Sequence, residues 1–272
     1  MKNLSSRIIS ALVALLGLAA AVYFGGEIGI YGIILLVTIR CSFEMARMFF
    51  NDAYPHYVKR LFVFLSTVIF LVITQENMRP MTSVLLIISF VIIASFGVAF
   101  HRHFKSLEQI LTFVAKNCLG LVYVCFLPAT VVWTLQTNQG VEWFLCLLAV
   151  VFAGDIGAYI FGVSFGKTKL APSLSPNKSL EGAVGGLIFS TLTACAFSNF
   201  LPGTPLYILI ICGLFGGVFG QIGDLFESLI KRVSGVKDSG TIMPGHGGLL
   251  DRLDGVLFAA PLFFIVSTYF SL

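Results

Sequence analysis

Long apolar segments recur along nearly the whole chain, and they restrict its fold more than any other feature. The sequence is 57% hydrophobic and only 11% charged. A helix that crosses a bilayer needs about 20 mostly apolar residues. We therefore predict an all-α integral membrane protein with about nine transmembrane helices. The candidate spans are residues 8–25, 28–50, 61–74, 81–100, 110–135, 143–165, 183–200, 206–230 and 256–272.

Basic residues predict how these helices are oriented. With the N-terminus in the cytoplasm, most of the 17 lysines and arginines fall on the cytoplasmic side, and Arg79 falls opposite. Cytoplasmic loops of membrane proteins carry such an excess. We therefore predict a cytoplasmic N-terminus, and the cell inner membrane if the protein is bacterial. The bias also explains the net charge of +4 without nucleic acid as a partner.

The first span has a second interpretation. Lys2 and Arg7 precede it as in a signal peptide, but the further spans favour a retained helix.

We expect one continuous membrane domain in which residues 1–142 are scaffold and lipid contact and residues 143–272 carry the chemistry. Glycines at 182–186 and 213–223 predict close helix packing in the second part.

Two polar groups in the first part favour structural or surface roles. Arg40, Glu44 and Arg47 have the spacing of a helical ion pair. The segment His101–His103 is typical of a solvated loop that meets lipid headgroups, rather than of a metal site.

Residues 228–254 read SLIKRVSGVKDSGTIMPGHGGLLDRLD and gather charge and glycine in an otherwise apolar chain. Asp251 and Asp254 are three positions apart, so both can face one way from the start of the last helix. The helix dipole alone would explain one aspartate there. The pair, with Arg252 between, favours Mg²⁺, which binds a few carboxylates together with substrate phosphates.

The glycines before this helix allow two interpretations. Gly247 and Gly248 end a loop in which consecutive backbone N–H groups can form an anion-binding nest. A plain turn explains them equally well, because glycine-rich turns are common.

Carboxylates also lie within the spans. Asp224 and Glu227 share one helix face with Ser228 and Lys231. A carboxylate in a membrane needs a metal, a proton or a charged partner, so we interpret Asp224 as a metal ligand. For Glu227 an ion pair with Lys231 and a role in the site remain open. Asp155, inside the sixth span, is a further candidate.

The following loop, residues 165–182, is basic and rich in turn residues. Lys178 is a candidate phosphate contact. Lys167 and Lys169 are explained at least as well by the charge bias of cytoplasmic loops.

These motifs resemble the signature of the phosphatidate cytidylyltransferase (CDP-diacylglycerol synthase) family, in outline S-x-x-K-R-x4-K-D-x-G-x3-P-G-H-G-G-x-x-D-R-x-D. The upstream segments GDIGAY, FGK, SPNKSLEG and GDLFES are similar to that family in the same order. The resemblance covers residues 154–255. Asn177 departs from it, standing where a second lysine is common, so it is not counted as a phosphate contact.

The resemblance implies transfer of the cytidylyl group of CTP to phosphatidic acid, with pyrophosphate released. It implies Mg²⁺ as cofactor, the lipid bilayer as partner, and Lys237 and Asp238 as catalytic residues. A homodimer is one arrangement that the sequence permits. The implied metal ligands are Asp224, Asp251 and Asp254, and the residues that could support these ligands from outside the metal site are Asp155, Glu227 and Ser228. The implied substrate contacts are Lys178, Lys231, Arg232, His246, Gly247, Gly248 and Arg252.

Two other functions remain open. A cation transporter would use the intramembrane acids as an ion path, but it has no need of a phosphate-binding loop. Another CTP-dependent lipid enzyme, such as a polyprenol kinase or an archaeal-type lipid cytidylyltransferase, would use the same loop.

Overall fold

The structure is a computed structural model that describes residues 2–50, 54, 56–240 and 247–270. In the first helix, the exposure of residues is described at positions 17, 20, 23–26 and from Ile28 onward. The chain is mostly helical: α1 Lys2–Phe49, α2 His56–Ile73, α3 Thr82–Ala99, α4 Leu107–Leu121, α5 Leu127–Leu135, α6 Gly140–Phe165, α7 Leu180–Ala196, α8 Leu206–Val233 and α9 Leu250–Phe270.

Eight helical segments of the described chain are long and apolar enough to cross a membrane. They correspond to the second through ninth predicted spans, so an integral membrane protein is confirmed. The predicted span 8–25 falls in α1 before Gly26, where the backbone leaves the helical region, and most of its side chains lie outside the described residues. The count of nine and the orientation stay predictions.

One segment departs from the all-α prediction. Residues 165–182, expected as a loop, contain a two-stranded antiparallel sheet of β1 Lys169–Ala171 and β2 Ser175–Ser179. The turn residues between the strands were correctly interpreted, but a hairpin this short has too few alternating apolar residues to be recognised. Ser179 then caps α7, because its Oγ accepts a hydrogen bond from the Gly182 N–H at 3.1 Å.

The chain forms two compact units, Gly32–Ala129 and a second made of Met1–Tyr31 with Thr130–Leu272. The first unit has an aromatic core in which the ring of Phe50 contacts those of Tyr54, Phe62 and Phe113. It also contains the predicted ion pair, with Arg40 Nε 3.2 Å from Glu44 Oε1. The predicted division at residue 142 stays a prediction.

Glycines bring α6 to α9 of the second unit close together, as predicted. A Cβ at Gly157 would lie 2.8 Å from the Gly185 carbonyl oxygen, and one at Gly213 would lie 2.5 Å from Thr191 Cα. These helices therefore pack backbone against backbone, which larger residues would prevent. The close packing fixes the polar side chains that these helices carry.

Candidate active site

A cavity of about 710 Å³ lies among α6, the hairpin, α7, α8 and the start of α9. Its volume is within the range of about 300–1,000 Å³ that is usual for small-molecule sites. It brings together six of the residues predicted from the sequence, although they come from four separate segments. These residues are Asp155, Lys178, Asp224, Asp251, Arg252 and Asp254.

Lys178 joins the hairpin to α8. Its Nζ lies 2.6 Å from Asp224 Oδ2, and both side chains remain partly exposed, at 27% and 38%. The ion pair therefore faces the cavity rather than the protein interior. The position of Lys178 depends on the base of the hairpin, where Glu181 accepts hydrogen bonds from the backbone N–H groups of Lys167 and Thr168, each at 3.1 Å.

A second lysine, Lys231, occupies a partly buried position between α8 and α9. Lys231 Nζ pairs with Glu227 Oε2 and lies 2.7 Å from Asp251 Oδ1. The side chain of Glu227 is 0% exposed and that of Asp251 is 8% exposed. Glu227 thus forms the ion pair that was one of its two interpretations, and one cation is shared by two buried carboxylates.

Asp251 also holds the loop that precedes α9. Its Oδ2 accepts hydrogen bonds from the Ser239 N–H at 2.9 Å, the Ser239 hydroxyl at 3.0 Å and the Gly248 N–H at 2.7 Å. Gly247 has φ 83°, a conformation that favours glycine. The Gly248 N–H, predicted as part of an anion-binding nest, therefore binds a carboxylate of this same chain.

Asp254 is buried and lies at a close contact of α8 with α9. Its Oδ1 accepts a hydrogen bond from the Gly255 N–H at 2.7 Å. A Cβ at Gly223 would lie 2.5 Å from the Asp254 carbonyl oxygen, so the glycine allows this contact. The carboxylate of Asp254 is close enough to those of Asp155 and Asp224 to interact with both electrostatically.

Comparison with known proteins identifies the family of the chain. The family model described as "Cytidylyltransferase family" matches residues 5–270. The chain belongs to the cytidylyltransferase family. Curated relatives named "Phosphatidate cytidylyltransferase" include one from Staphylococcus saprophyticus, 48% identical over 126 residues, and one from Bacillus subtilis, 46% identical over 136 residues. A third, from Staphylococcus haemolyticus, is 37% identical over 179 residues.

These three alignments cover 46%, 49% and 65% of this chain. They cover 48%, 50% and 66% of the respective relatives, so the chain spans about half the length of the first two. The family assignment therefore rests on the family model, which extends over nearly the whole chain.

Several predicted site residues of this cytidylyltransferase-family chain are not among those that line the cavity. Arg232 donates from Nε to the Leu174 carbonyl oxygen in the hairpin turn at 3.5 Å. Ser228 is buried on α8. Lys237 and Asp238 are exposed in the loop after α8, and His246 lies outside the described residues. Their predicted roles stay predictions.

Three features of the site were not predicted. Gln221 lines the cavity and donates from Nε2 to the Ala183 carbonyl oxygen at 2.9 Å, which joins α8 to α7. Its amide within an apolar span was the available signal. Ser239 supplies two hydrogen bonds to Asp251, a pairing that spacing alone does not indicate. One wall is apolar and is formed by Phe152, Tyr159 and Val163.

The lining carries four carboxylates and two cationic side chains, Lys178 and Arg252. This excess of negative charge attracts a cation and repels a free polyphosphate. Within the part of the chain that the structure describes, no three His, Cys, Asp or Glu residues are grouped closely enough to hold a metal ion by themselves. A metal here needs ligands from water or substrate, which is the usual way that proteins hold Mg²⁺.

Proposed function

We propose that this protein transfers the cytidylyl group of CTP to phosphatidic acid, giving CDP-diacylglycerol and pyrophosphate. The observation that carries the proposal is a single cavity with clustered carboxylates and cations and with an apolar wall of Phe152, Tyr159 and Val163. Such a cavity suits a nucleotide and a lipid together. The shared family and the names of the relatives support the same reaction.

Mg²⁺ is the proposed cofactor. A cavity with four carboxylates is a poor site for the anionic CTP alone, but it becomes suitable when the nucleotide brings a divalent cation with it. Asp224 and Asp254 are the proposed ligands, because neither carboxylate is saturated by protein donors in the way that Asp251 is. When bound, Mg²⁺ would neutralise charge on the phosphates.

Asp251 was also predicted as a metal ligand, and its contacts define what that role requires. Both of its oxygens accept hydrogen bonds from this chain. Metal ligation by Asp251 would therefore replace the contact with Lys231 or those with Ser239 and Gly248. We propose that Asp251 acts chiefly by holding the loop and Lys231 in place beside the metal.

The reaction is a displacement at the α-phosphorus of CTP. A phosphate oxygen of phosphatidic acid forms the new P–O bond, and the bond between the α-phosphorus and the bridging oxygen to the β-phosphorus breaks, releasing pyrophosphate. The lipid phosphate is already an anion, so alignment and charge neutralisation matter more than a strong base. Lys178 and Arg252, both in the cavity lining, are placed to neutralise the phosphates.

The two substrates are proposed to reach the cavity from different phases. Tyr159 and Val163 are 73% and 72% exposed on α6, so the apolar wall is open to the surroundings of the helix. In a bilayer those surroundings are lipid, from which phosphatidic acid would enter sideways. With nine spans and the N-terminus in the cytoplasm, CTP would enter from the cytoplasm, at the inner membrane of a bacterium. A homodimer is compatible with this arrangement.

The test is CTP binding and turnover by the full chain in lipid nanodiscs that contain phosphatidic acid. We expect CTP to bind in the presence of Mg²⁺ and to lose affinity at least tenfold with EDTA. Asp254→Asn should weaken the Mg²⁺-dependent binding, whereas Glu76→Gln, exposed in the connection between α2 and α3, should not. Folded protein that turns over no CTP, and that instead conducts cations in liposomes, would support the transporter alternative.

A further inference from the structure

The ion pair of Lys178 with Asp224 joins two residues for which different ligands are proposed. Lys178 Nζ lies 2.6 Å from Asp224 Oδ2. Asp224 is a proposed ligand of Mg²⁺, and Lys178 is a proposed contact of the CTP phosphates. While the pair is closed, the ammonium group covers an oxygen that a metal ion needs, and the carboxylate neutralises the cation that a phosphate needs. Both proposed roles therefore require the pair to open.

The backbone that carries each residue is held by contacts other than the pair. On the hairpin, the Leu180 N–H donates to the Thr168 carbonyl oxygen at 2.9 Å, and Ser179 caps α7. On α8, a Cβ at Gly223 would lie 2.5 Å from the Asp254 carbonyl oxygen, so this part of the helix lies against α9. Opening the pair is therefore a movement of side chains, chiefly of the lysine, whose four-carbon stem is flexible.

The pair is accessible from the cavity that both side chains line. Lys178 is 27% exposed and Asp224 is 38% exposed, so a metal ion or a phosphate can reach either of them. Ion pairs as exposed as this one are weak, and ligands of higher charge can replace the partners. Lys231 differs, because it is 12% exposed and lies between two carboxylates, Glu227 and Asp251, that are 0% and 8% exposed.

Charge determines what each ligand meets when it binds alone. A divalent cation on Asp224 would leave the ammonium group of Lys178 nearby without its carboxylate, and like charges repel. A phosphate on Lys178 would leave the carboxylate of Asp224 nearby without its cation. When a metal ion and a phosphate bind together, each takes one member of the pair and both charges stay compensated. Each ligand therefore binds more tightly in the presence of the other.

We propose that Lys178 is the internal counter-ion of Asp224, and that exchange of this pair for Mg²⁺ and phosphate couples the binding of the metal to the binding of CTP. The coupling rests on the proposed function, in which a nucleotide and a divalent cation are the ligands of the cavity. A metal ion alone and a nucleotide without metal are each held weakly, so the two enter as a complex. Such coupling is reciprocal and can be measured from either side.

The first measurement is the affinity for Mn²⁺ alone, determined by electron paramagnetic resonance. Mn²⁺ prefers the same oxygen ligands as Mg²⁺. The full chain is held in nanodiscs of phosphatidylcholine, whose zwitterionic headgroups compete little for the metal. Without nucleotide, we expect Lys178→Met to bind Mn²⁺ about tenfold more tightly than the wild-type chain, within the usual range of coupling between sites. Lys178→Arg keeps the positive charge and should bind Mn²⁺ as weakly as the wild-type chain.

Lys169→Met is the matched control for this measurement. Lys169 is an exposed lysine of the same hairpin and is not among the residues that line the cavity. Its replacement should leave the affinity for Mn²⁺ unchanged. An unchanged or lower affinity in Lys178→Met would overturn the coupling, because a lysine that only shapes the hairpin would give that result.

The second measurement is the binding of radiolabelled CTP in EDTA, which does not depend on the folding of Lys178→Met. Asp224→Asn frees Lys178 for phosphate. Although it removes a proposed metal ligand, it should bind CTP about fivefold more tightly than the wild-type chain under these conditions. Asp254→Asn removes the same charge from the lining while Lys178 keeps its partner, so its gain should be smaller. Equal gains would overturn the coupling, because the total charge of the cavity would explain them.

The two measurements also distinguish the coupling from the proposed function. Cytidylyl transfer by the wild-type chain, together with unchanged Mn²⁺ affinity in Lys178→Met, would overturn the coupling alone. Absence of cytidylyl transfer by the folded wild-type chain would overturn the proposed function and the coupling with it.

Discussion

Replacing Lys231 by methionine is predicted to destabilise the packing of α8 against α9. The substitution keeps the length of the aliphatic side chain but removes the ammonium group that pairs with Glu227 and lies 2.7 Å from Asp251. Both carboxylates are buried, at 0% and 8% exposure, so they would face each other without the shared cation. Like charges in a low-dielectric environment repel strongly.

The magnitude follows from these contacts. Removing one partner of a buried ion pair costs about 3–5 kcal/mol. Asp251 keeps its hydrogen bonds from Ser239 and Gly248, and Lys231 is itself 12% exposed. We therefore expect the lower end, about 3 kcal/mol, for Lys231→Met. Adding Glu227→Gln removes one unpaired carboxylate and should restore about 1–2 kcal/mol of the lost stability. Interaction energies of this size are usual for residues in contact.

The assay is reversible unfolding in mixed micelles of dodecyl sulfate and a mild detergent. Trp133 and Trp143 report on the same compact unit, and both side chains are buried. Lys169→Met, in an exposed position on β1, is the matched control and should change stability by less than about 0.5 kcal/mol. A loss below about 1 kcal/mol for Lys231→Met, or strict additivity of the two substitutions, would refute the shared-cation account.

Three further predictions test other parts of the site. Gly223→Ala places a Cβ 2.5 Å from the Asp254 carbonyl oxygen and should lower the free energy of unfolding by about 1–3 kcal/mol in the same assay. The control is Gly32→Ala, which has no neighbour within 4 Å of the added Cβ among the described residues beyond its own helical turn and should leave stability nearly unchanged. Lys178→Met should raise KM for CTP about 10- to 100-fold in steady-state assays because a charge-assisted contact to phosphate is lost, and an unchanged KM would remove Lys178 from the site. Glu181→Gln weakens the acceptor at the hairpin base, so hydrogen exchange of the neighbouring backbone amides should become faster; unchanged exchange would mean that the hairpin is held elsewhere.

Much of the fold was predictable because apolar length is a direct signal of a membrane helix. The same reasoning placed glycines where helices touch, and it identified the pair Arg40–Glu44 from its spacing on one helix. The helical period also indicated an ion pair between Glu227 and Lys231, since they are four residues apart on α8. Local rules were sufficient in each of these cases.

Contacts between distant segments were only partly predictable. The motifs indicated that Lys178 and Asp224 serve one site, but not that they form a direct ion pair. The sequence favoured Asp251 as a metal ligand because of its spacing from Asp254. It could not show the four hydrogen bonds that Asp251 accepts, because two of the donors belong to Ser239 and a third to a lysine 20 positions away. Such contacts depend on the tertiary fold, and local sequence patterns do not indicate them.

The fate of each phosphate of CTP tests the central claim most directly. CTP labelled with ³²P at the α- or the γ-position is incubated with the full chain, phosphatidic acid and Mg²⁺ in nanodiscs, and the lipid and aqueous phases are counted. The account predicts that the α-label enters the lipid and that the γ-label leaves as pyrophosphate in equal amount. Entry of the γ-label into lipid would indicate a kinase and would contradict cytidylyl transfer, as would the absence of any labelled lipid.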